Sequence, residues 1–333
     1  MTYLSSCKNH PLTTEISIPH LNLNDYVHGN AEQKKKFSDA IGKAYNETGF
    51  VTVSNHGITK ELTDELYAEV KKFFDLPEES KLKYERAKPA RQRGYIGKGI
   101  EIAKGAKNHD LKEFWQSGQV VTDNDPVKDE YPNNIQVAEF PRFNTVTQEV
   151  YQRLEEAGKH LLRAIAVYLK LPENYFDDKV HNGNSILRAI HYFPLESPEN
   201  LPADAVRAGA HEDINLITLL IGASADGLEL LTRDGKWFPV KAGADDIVVN
   251  VGDMLQRLTN NKLRSTTHRV VNPPNELMKM ARYSVPFFLH PKTSMDLTCL
   301  DSCIDSNHPK AYPDTTAGEY LNERLLEIGL KTV

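Results

Sequence analysis

His211-Glu212-Asp213 opens an apolar run, Ile214-Asn215-Leu216-Ile217-Thr218-Leu219-Leu220. In an extended strand residues i and i+2 share a face. His211 and Asp213 are therefore expected to project together, with Glu212 on the opposite face. An imidazole beside a carboxylate in a β core needs a cation or a hydrogen-bond network to offset its desolvation. A third ligand would come from another strand, and His268, in Ser265-Thr266-Thr267-His268-Arg269-Val270-Val271, is the candidate. Two histidines and one carboxylate can occupy one face of an octahedral ion and leave three positions open, as in non-haem Fe(II) oxygenases. Zinc in a hydrolase can use the same donors. Such an enzyme would want a general base nearby, and Glu212 is expected to face away. A lone His-X-Asp is common, so the spacing alone is a weak signal.

Arg282-Tyr283-Ser284 follows His268 by fourteen residues in another apolar stretch. Arg282 and Ser284 are again i and i+2. A guanidinium inside a β core seeks a carboxylate, which it can grip with two parallel hydrogen bonds. Either Arg282 pairs with a distant Asp or Glu, or it binds the carboxylate of a small molecule.

The elements that must hold these residues are short strands. Leu187–Phe193, Ile214–Leu220, Leu228–Leu231, Trp237–Val240, Ile247–Val251, His268–Val271 and Tyr283–Leu289 are rich in β-branched and aromatic residues and separated by turn residues. Their number and spacing predict a sandwich or barrel, most simply a jelly roll. Ile16–Pro19 and Phe50–Val53 read as earlier strands. Ala31–Tyr45, Lys60–Phe74, the stripe Val150, Leu154, Ala157, Leu161, Ile165 and Leu169, and Glu319–Ile328 read as helices. Residues 85–145 read as loop with short elements, punctuated by glycines and by Pro126, Pro132 and Pro141. No linker divides the chain, so 1–333 is expected to be a single domain. In it, 1–145 is a helix-rich N-terminal region carrying substrate loops. Residues 146–333 hold the long helix, the β core with the metal site and the C-terminal helix.

Composition narrows the function classes. The chain has 333 residues, 26% charged and 40% hydrophobic, with a net charge of −6. No basic arm is present, so neither nucleic acid nor an anionic membrane is expected as partner. No stretch approaches the ~18 apolar residues of a membrane span. Three cysteines, Cys7, Cys299 and Cys303, cannot make a disulfide framework, and the N-terminus lacks the apolar core of a secretory signal. A cytoplasmic enzyme acting on a small molecule is the expectation. His10, His20, His28, His109 and His308 sit in polar contexts and are expected to be solvated.

Longer motifs run along nearly the whole chain. Gly49-Phe50, Asn55-His56-Gly57 and Phe73-Phe74-Asp75-Leu76-Pro77 come first, then Gly94-Tyr95 and Lys112-Glu113-Phe114. The most specific stretch joins Trp237-Phe238-Pro239-Val240, Val249-Asn250-Val251-Gly252-Asp253-Met254-Leu255-Gln256, His268-Arg269-Val270 and Arg282-Tyr283-Ser284-Val285-Pro286-Phe287-Phe288. In this order the sequence resembles the isopenicillin N synthase-like family of Fe(II)/2-oxoglutarate-dependent oxygenases. The resemblance implies a mostly β fold, a double-stranded β-helix (jelly-roll) core packed against N-terminal and C-terminal helices. It implies Fe(II) on His211, Asp213 and His268, and the distal carboxylate of 2-oxoglutarate on Arg282 and Ser284. The implied reaction uses O2, releases succinate and CO2, and hydroxylates, desaturates or cyclises a small-molecule substrate, with ascorbate protecting the iron. Isopenicillin N synthase itself and the aminocyclopropane carboxylate oxidases also resemble this chain and keep Arg-X-Ser without consuming 2-oxoglutarate. A non-catalytic barrel that binds a small acid is a further alternative.

One motif departs from the family. Relatives carry Asn-X-Tyr-Pro before the first metal ligand, where this chain has His191-Tyr192-Phe193-Pro194. His191 is the expected replacement donor to the cosubstrate, against a purely structural hydrogen bond, and Tyr192 is expected to face the other way. Arg91, Arg93 and Lys98 could line the cavity mouth and bind an anionic substrate, or form a solvated loop. Phe114, Trp115, Phe288 and Asn215 are further substrate-side candidates.

Overall fold

The computed structural model describes residues 17–86, 92–100, 110–202, 205–222 and 227–327. Cys7, His10, Arg91 and His109 lie outside them. The strands are β1 (His20–Asn22), β2 (Phe50–Ser54), β3 (Gly94–Ile96), β4 (Glu113–Gly118), β5 (Ile186–Tyr192), β6 (Ala208–His211), β7 (Ile217–Ile221), β8 (Leu228–Leu231), β9 (Trp237–Pro239), β10 (Ile247–Val251), β11 (His268–Val270), β12 (Arg282–Ser284) and β13 (Pro286–Leu289). The helices are α1 (Leu23–Val27), α2 (Ala31–Glu47), α3 (Lys60–Phe74), α4 (Glu78–Leu82), α5 (Pro141–Tyr168), α6 (Asp177–Val180), α7 (Asp253–Leu258), α8 (Asn275–Met278) and α9 (Ala317–Glu327).

Two sheets form the jelly roll. The larger runs β1-β2-β10-β7-β13-β5-β4-β3, with β12 also paired to β5; the smaller runs β6-β11-β8-β9. Strand β10 shows why such a sheet needs cover on both faces: all five of its residues are buried. Ile247, Val249 and Val251 join Val51, Val53, Leu219 and Phe287 in the core under the helices. Val248 turns the other way and packs with Phe50, Leu228, Leu230 and Val240 between the sheets. His268, on the smaller sheet, meets this second layer edge-on at Phe50, with ring centres 5.8 Å apart.

Helix α5 is the main prop of the larger sheet. Val150, Leu154, Ala157, Leu161 and Ile165 are all buried, as the period of the stripe predicts. The helix begins at Pro141, which was expected to break structure. Proline fits a first turn because that turn's N–H groups have no intrahelical partner anyway. Gly158 costs about 1 kcal/mol relative to alanine in mid-helix. Here a Cβ would sit 2.3 Å from Leu289 Cδ1, so any larger residue would require the Leu289 side chain to move.

Two expectations are corrected and one is filled in. Among the described residues the first strand is His20–Asn22; residues 17–19 of the expected strand are not in one, and Ile16 lies outside the described residues. Pro19 has no N–H to give, and instead its carbonyl accepts from Thr52 N–H at 2.9 Å just ahead of the strand. Residues 85–145 contain two real strands, and every residue of β4 is buried. Finally, β6 stops at His211 and β7 starts at Ile217, so Asp213 lies in a turn and not on a strand with His211.

A buried ionic cluster ties the N-terminal helices to the core. Lys81 Nζ lies 2.8 Å from Glu113 Oε2, His191 Nδ1 lies 2.7 Å from Oε1, and the Tyr95 hydroxyl also donates to Glu113. Burial alone would raise the Glu113 carboxyl. Hydrogen bonds from His191, Lys81 and Tyr95 outweigh it and hold the group at about 2. Glu113→Gln leaves the Lys81 ammonium buried without its counter-charge, which is expected to cost about 3–5 kcal/mol in urea unfolding. Because the folded value is depressed, the carboxylate's contribution is full above the ordinary range near ~4.3 and is lost as pH falls toward 2. The gap between wild type and variant should therefore narrow over that interval. A gap that stays constant down to pH 3 would show that the charge is not what matters.

Candidate active site

His211 and His268 face each other across the β6–β11 pairing, where they are direct register partners. Their ring centres are 4.5 Å apart. His211 Nδ1 lies 2.7 Å from Gly209 O, and His268 Nδ1 lies 3.0 Å from Thr266 O. A carbonyl accepts only from an N–H, so both Nδ1 atoms carry the proton and both Nε2 lone pairs are free. The two Nε2 atoms lie 3.8 and 3.7 Å from the Asp213 carboxylate, and the three ligating atoms all fall within 4.8 Å of one another. This donor set suits a divalent ion of intermediate softness. It also keeps part of the first histidine exposed, where further ligands can enter.

The turn that carries Asp213 is pinned from β10 and α7. Asp213 O accepts from Asp253 N–H at 2.7 Å, and its Oδ2 accepts from Thr218 Oγ1 at 2.6 Å and Asn250 Nδ2 at 2.8 Å. Burial alone would raise this carboxyl. The nearby His268 and His211, with the Asn250 and Thr218 hydrogen bonds, hold it below the usual range. Burial, followed by the neighbouring His268, pulls the His211 imidazole down, which favours the neutral ligating form. A side chain on Gly252 would meet Asn215 backbone oxygen at 2.3 Å, so glycine is what lets α7 close on the Asp213 turn. Glu212 is directed away, accepting from Thr267 Oγ1 at 2.6 Å. It supplies no general base for a hydrolase.

Arg282 and Ser284 lie on β12, opposite Tyr192 and Ile190 of β5. The Arg282 guanidinium stands 4.8 Å from the Tyr192 ring centre. Tyr192 is thus the phenol on the arginine's face, the reverse of what the motif suggested. His191 is on the other face, bonded to Glu113 and stacked on Tyr283 at 4.9 Å. The structure does not bring His191 to Arg282, because successive residues of a strand alternate faces and the β12 register selects Tyr192.

Comparison with known proteins decides between the metal chemistries. Residues 183–291, which include all three candidate ligands, Arg282 and Ser284, match the family model described as the 2OG-Fe(II) oxygenase superfamily. Residues 18–139 match the model described as non-haem dioxygenase in morphine synthesis N-terminal. Over 325 residues the chain is 34% identical to proline hydroxylase buaE of Petromyces alliaceus, covering 94% of this chain and 99% of that protein. The chain belongs to the 2OG-Fe(II) oxygenase superfamily.

The oxygenase is also similar in three dimensions to solved members. A 2OG-Fe(II) oxygenase family protein from Caulobacter crescentus is 40% identical with a TM-score of 0.83, covering 94% of this chain and 99% of that one. A full-length Neurospora crassa protein solved in complex with alpha-KG and thymine is 27% identical with a TM-score of 0.81, covering 93% and 96%. The protein is an Fe(II)- and 2-oxoglutarate-dependent dioxygenase. The alternatives of a 2-oxoglutarate-independent oxidase and of a non-catalytic barrel are set aside.

On the substrate side of the oxygenase, two of the expected loop cations separate. Arg93 is buried, donates to Gln119 Oε1 at 2.7 Å, and is pulled down to about 10 by burial. It is part of the packing beside Gly118 and not of a cavity mouth. Lys98 is exposed, with Nζ 4.5 Å from the Phe193 ring centre. Trp115 packs edge-on against Phe73 and Phe143 on the helix side. Asn215 is fully buried and donates to Thr218 Oγ1 at 2.9 Å, buttressing the Asp213 turn. Phe114 and Phe288 instead flank the Arg188 guanidinium at 4.2 and 5.1 Å. His290 was not singled out from the sequence. It is buried, held at about 4 by burial, and lies within reach of the Asp213 and Arg188 charges, with no partner for Nδ1 among the described residues.

Proposed function

We propose that His211, Asp213 and His268 are the iron ligands, that Arg282 and Ser284 hold the distal carboxylate of 2-oxoglutarate with Tyr192 beside them, and that Phe114, Arg188, Phe288 and His290 receive the primary substrate. The observation that carries the assignment is the pair of backbone carbonyls that fix both histidines as Nε2 donors toward one buried carboxylate. Fe(II), when bound, supplies the redox chemistry that couples loss of CO2 from 2-oxoglutarate to oxidation of a substrate C–H bond. The protein's own part is positional. Thr218 and Asn250 orient Asp213, Arg282 sets the direction of the keto acid, and the inter-sheet core excludes water.

Hydroxylation is the default outcome. The substrate is a small polar molecule with an acceptor or anionic group for Arg188, supported by the place of its guanidinium beside the Phe114 and Phe288 rings, with Nε already donating to Gln116 Oε1 at 3.1 Å. The 333 residues act as one domain, 1–145 supplying helices and substrate loops and 146–333 the metal-bearing core. No helix among the described residues is long and apolar enough to cross a membrane. The free thiols of Cys299 and Cys303 suit a reducing cytoplasm.

A metabolite library scored by succinate release tests the assignment. Turnover is expected with Fe(II) and O2, with ascorbate slowing inactivation when substrate is withheld. Equal turnover with zinc would sink the redox reading. The hits are expected to be small polar molecules, and Arg188→Gln should raise their KM while leaving uncoupled succinate release intact.

A further inference from the structure

Arg207 stands immediately before β6, four residues ahead of the first histidine, and is 8% exposed. Its N–H donates to Asn272 Oδ1 at 3.0 Å, and Asn272 Nδ2 donates to Ala205 O at 2.7 Å, so the segment is anchored to the end of β11. Its guanidinium lies 5.5 Å from the Tyr192 ring centre, the same ring that Arg282 approaches at 4.8 Å. Burial and the adjacent Arg282 both pull Arg207 below the usual arginine range, and no carboxylate among the described residues offsets them. Arg207 is buried and Arg282 half-buried, and two neighbouring guanidinium groups repel, which adds to the cost of burying the Arg207 charge. The arrangement becomes favourable when an anion enters between them. Its place beside Arg282 and Tyr192, rather than beside Arg188, identifies which anion.

We propose that Arg207 is a second cationic contact for the distal carboxylate of 2-oxoglutarate, so that Arg207 and Arg282 grip one carboxylate from the two sheets of the jelly roll. This rests on the assignment of Arg282 above. Because Arg207 leads directly into the smaller sheet and Arg282 lies on the larger, binding of the keto acid then also clamps the sheets together at the metal's side.

The test is calorimetric binding to the Fe(II) protein without oxygen, comparing 2-oxoglutarate with 2-oxopentanoate, which keeps the keto acid and lacks the distal carboxylate. Arg207→Gln is expected to weaken 2-oxoglutarate binding at least about 10-fold and to leave 2-oxopentanoate within about 2-fold. Arg207→Lys should recover part of the loss, since it keeps the charge without the planar fork. In the double variant with Arg282→Gln the losses should fall short of multiplicative, because both side chains act on one group. Equal weakening of both acids would make Arg207 a packing residue against Tyr192 and overturn the proposal. Unchanged 2-oxoglutarate binding with a raised KM for the primary substrate would overturn it too. Should Arg282→Gln itself fail to distinguish the two acids, the Arg282 assignment falls. If only Arg207→Gln fails to do so, the present inference falls alone.

Discussion

Alanine at His211, Asp213 or His268 is expected to abolish Fe(II)-dependent turnover and to weaken Fe(II) binding at least about 100-fold, while the apo protein keeps its helical and sheet content. The three side chains are the only His/Cys/Asp/Glu group among the described residues that brings three donors within 4.8 Å. Loss of a polar group that merely orients a metal ligand already costs about 10–100-fold in affinity, and a ligand itself costs more. The fold should survive because both apolar clusters are built from other residues; what they lose directly is the edge-on contact of His268 with Phe50, 5.8 Å between ring centres. Asp213→Ala should show the largest local effect, since Thr218 Oγ1 and Asn250 Nδ2 both lose their acceptor. Metal titration followed by ultraviolet circular dichroism checks both halves. Wild-type turnover in any one variant would remove that residue from the ligand set.

Much of the architecture was legible because its elements carry strong periodic signals. Lys60–Phe74 matches α3 to the residue, and the α5 stripe is buried as its spacing requires. Most strands from Ile186 to Leu289 emerge from β-branched runs between turn residues, whereas β6, Ala208-Gly209-Ala210-His211, has no such run and was not expected, and Tyr283–Leu289 divides into β12 and β13. What was illegible shares one cause. Strands β3 and β4 mix Glu, Gln, Ser and Gly with aromatics, and Glu113 is held buried by a local ion cluster that no periodicity announces. Likewise the stretch 212–216 is apolar enough to read as strand, yet Asn215 and Gly252 bend it into the turn that holds Asp213.

The site divides the same way. The proposed metal ligands and Arg-X-Ser stand out by residue type and order. Which residue of β5 faces them does not, because β5 is buried on both faces and shows no alternation of polar and apolar residues. The pairing Arg282↔Tyr192 fixes the face, and that register is a property of β12 and β5 together. Arg207 carries no local signal, set among alanine, valine and glycine. Only the fold returns it to Tyr192.

Arg282→Lys is expected to weaken 2-oxoglutarate binding and to leave Fe(II) binding intact. Lysine keeps the charge and loses the planar fork that meets both carboxylate oxygens. Arg282→Ala removes charge-assisted hydrogen bonds worth about 1.5–3 kcal/mol, a loss of roughly 10- to 150-fold in affinity. Ser284→Ala should cost less, as a neutral donor. Tyr192→Phe separates two roles: it retains the ring against which Arg282 rests and removes the hydroxyl alone. A small effect there, beside a large one for Tyr192→Ala, would assign Tyr192 to holding the arginine rather than to contacting the keto acid. Substitution of Phe193 should matter little, since its ring packs under exposed Lys98. These affinities are read without oxygen from calorimetric titration of the Fe(II) form, so binding is separated from turnover. If Arg282→Ala binds 2-oxoglutarate as tightly as wild type, the carboxylate is held elsewhere, and Arg282 becomes a candidate for the carboxylate of the primary substrate.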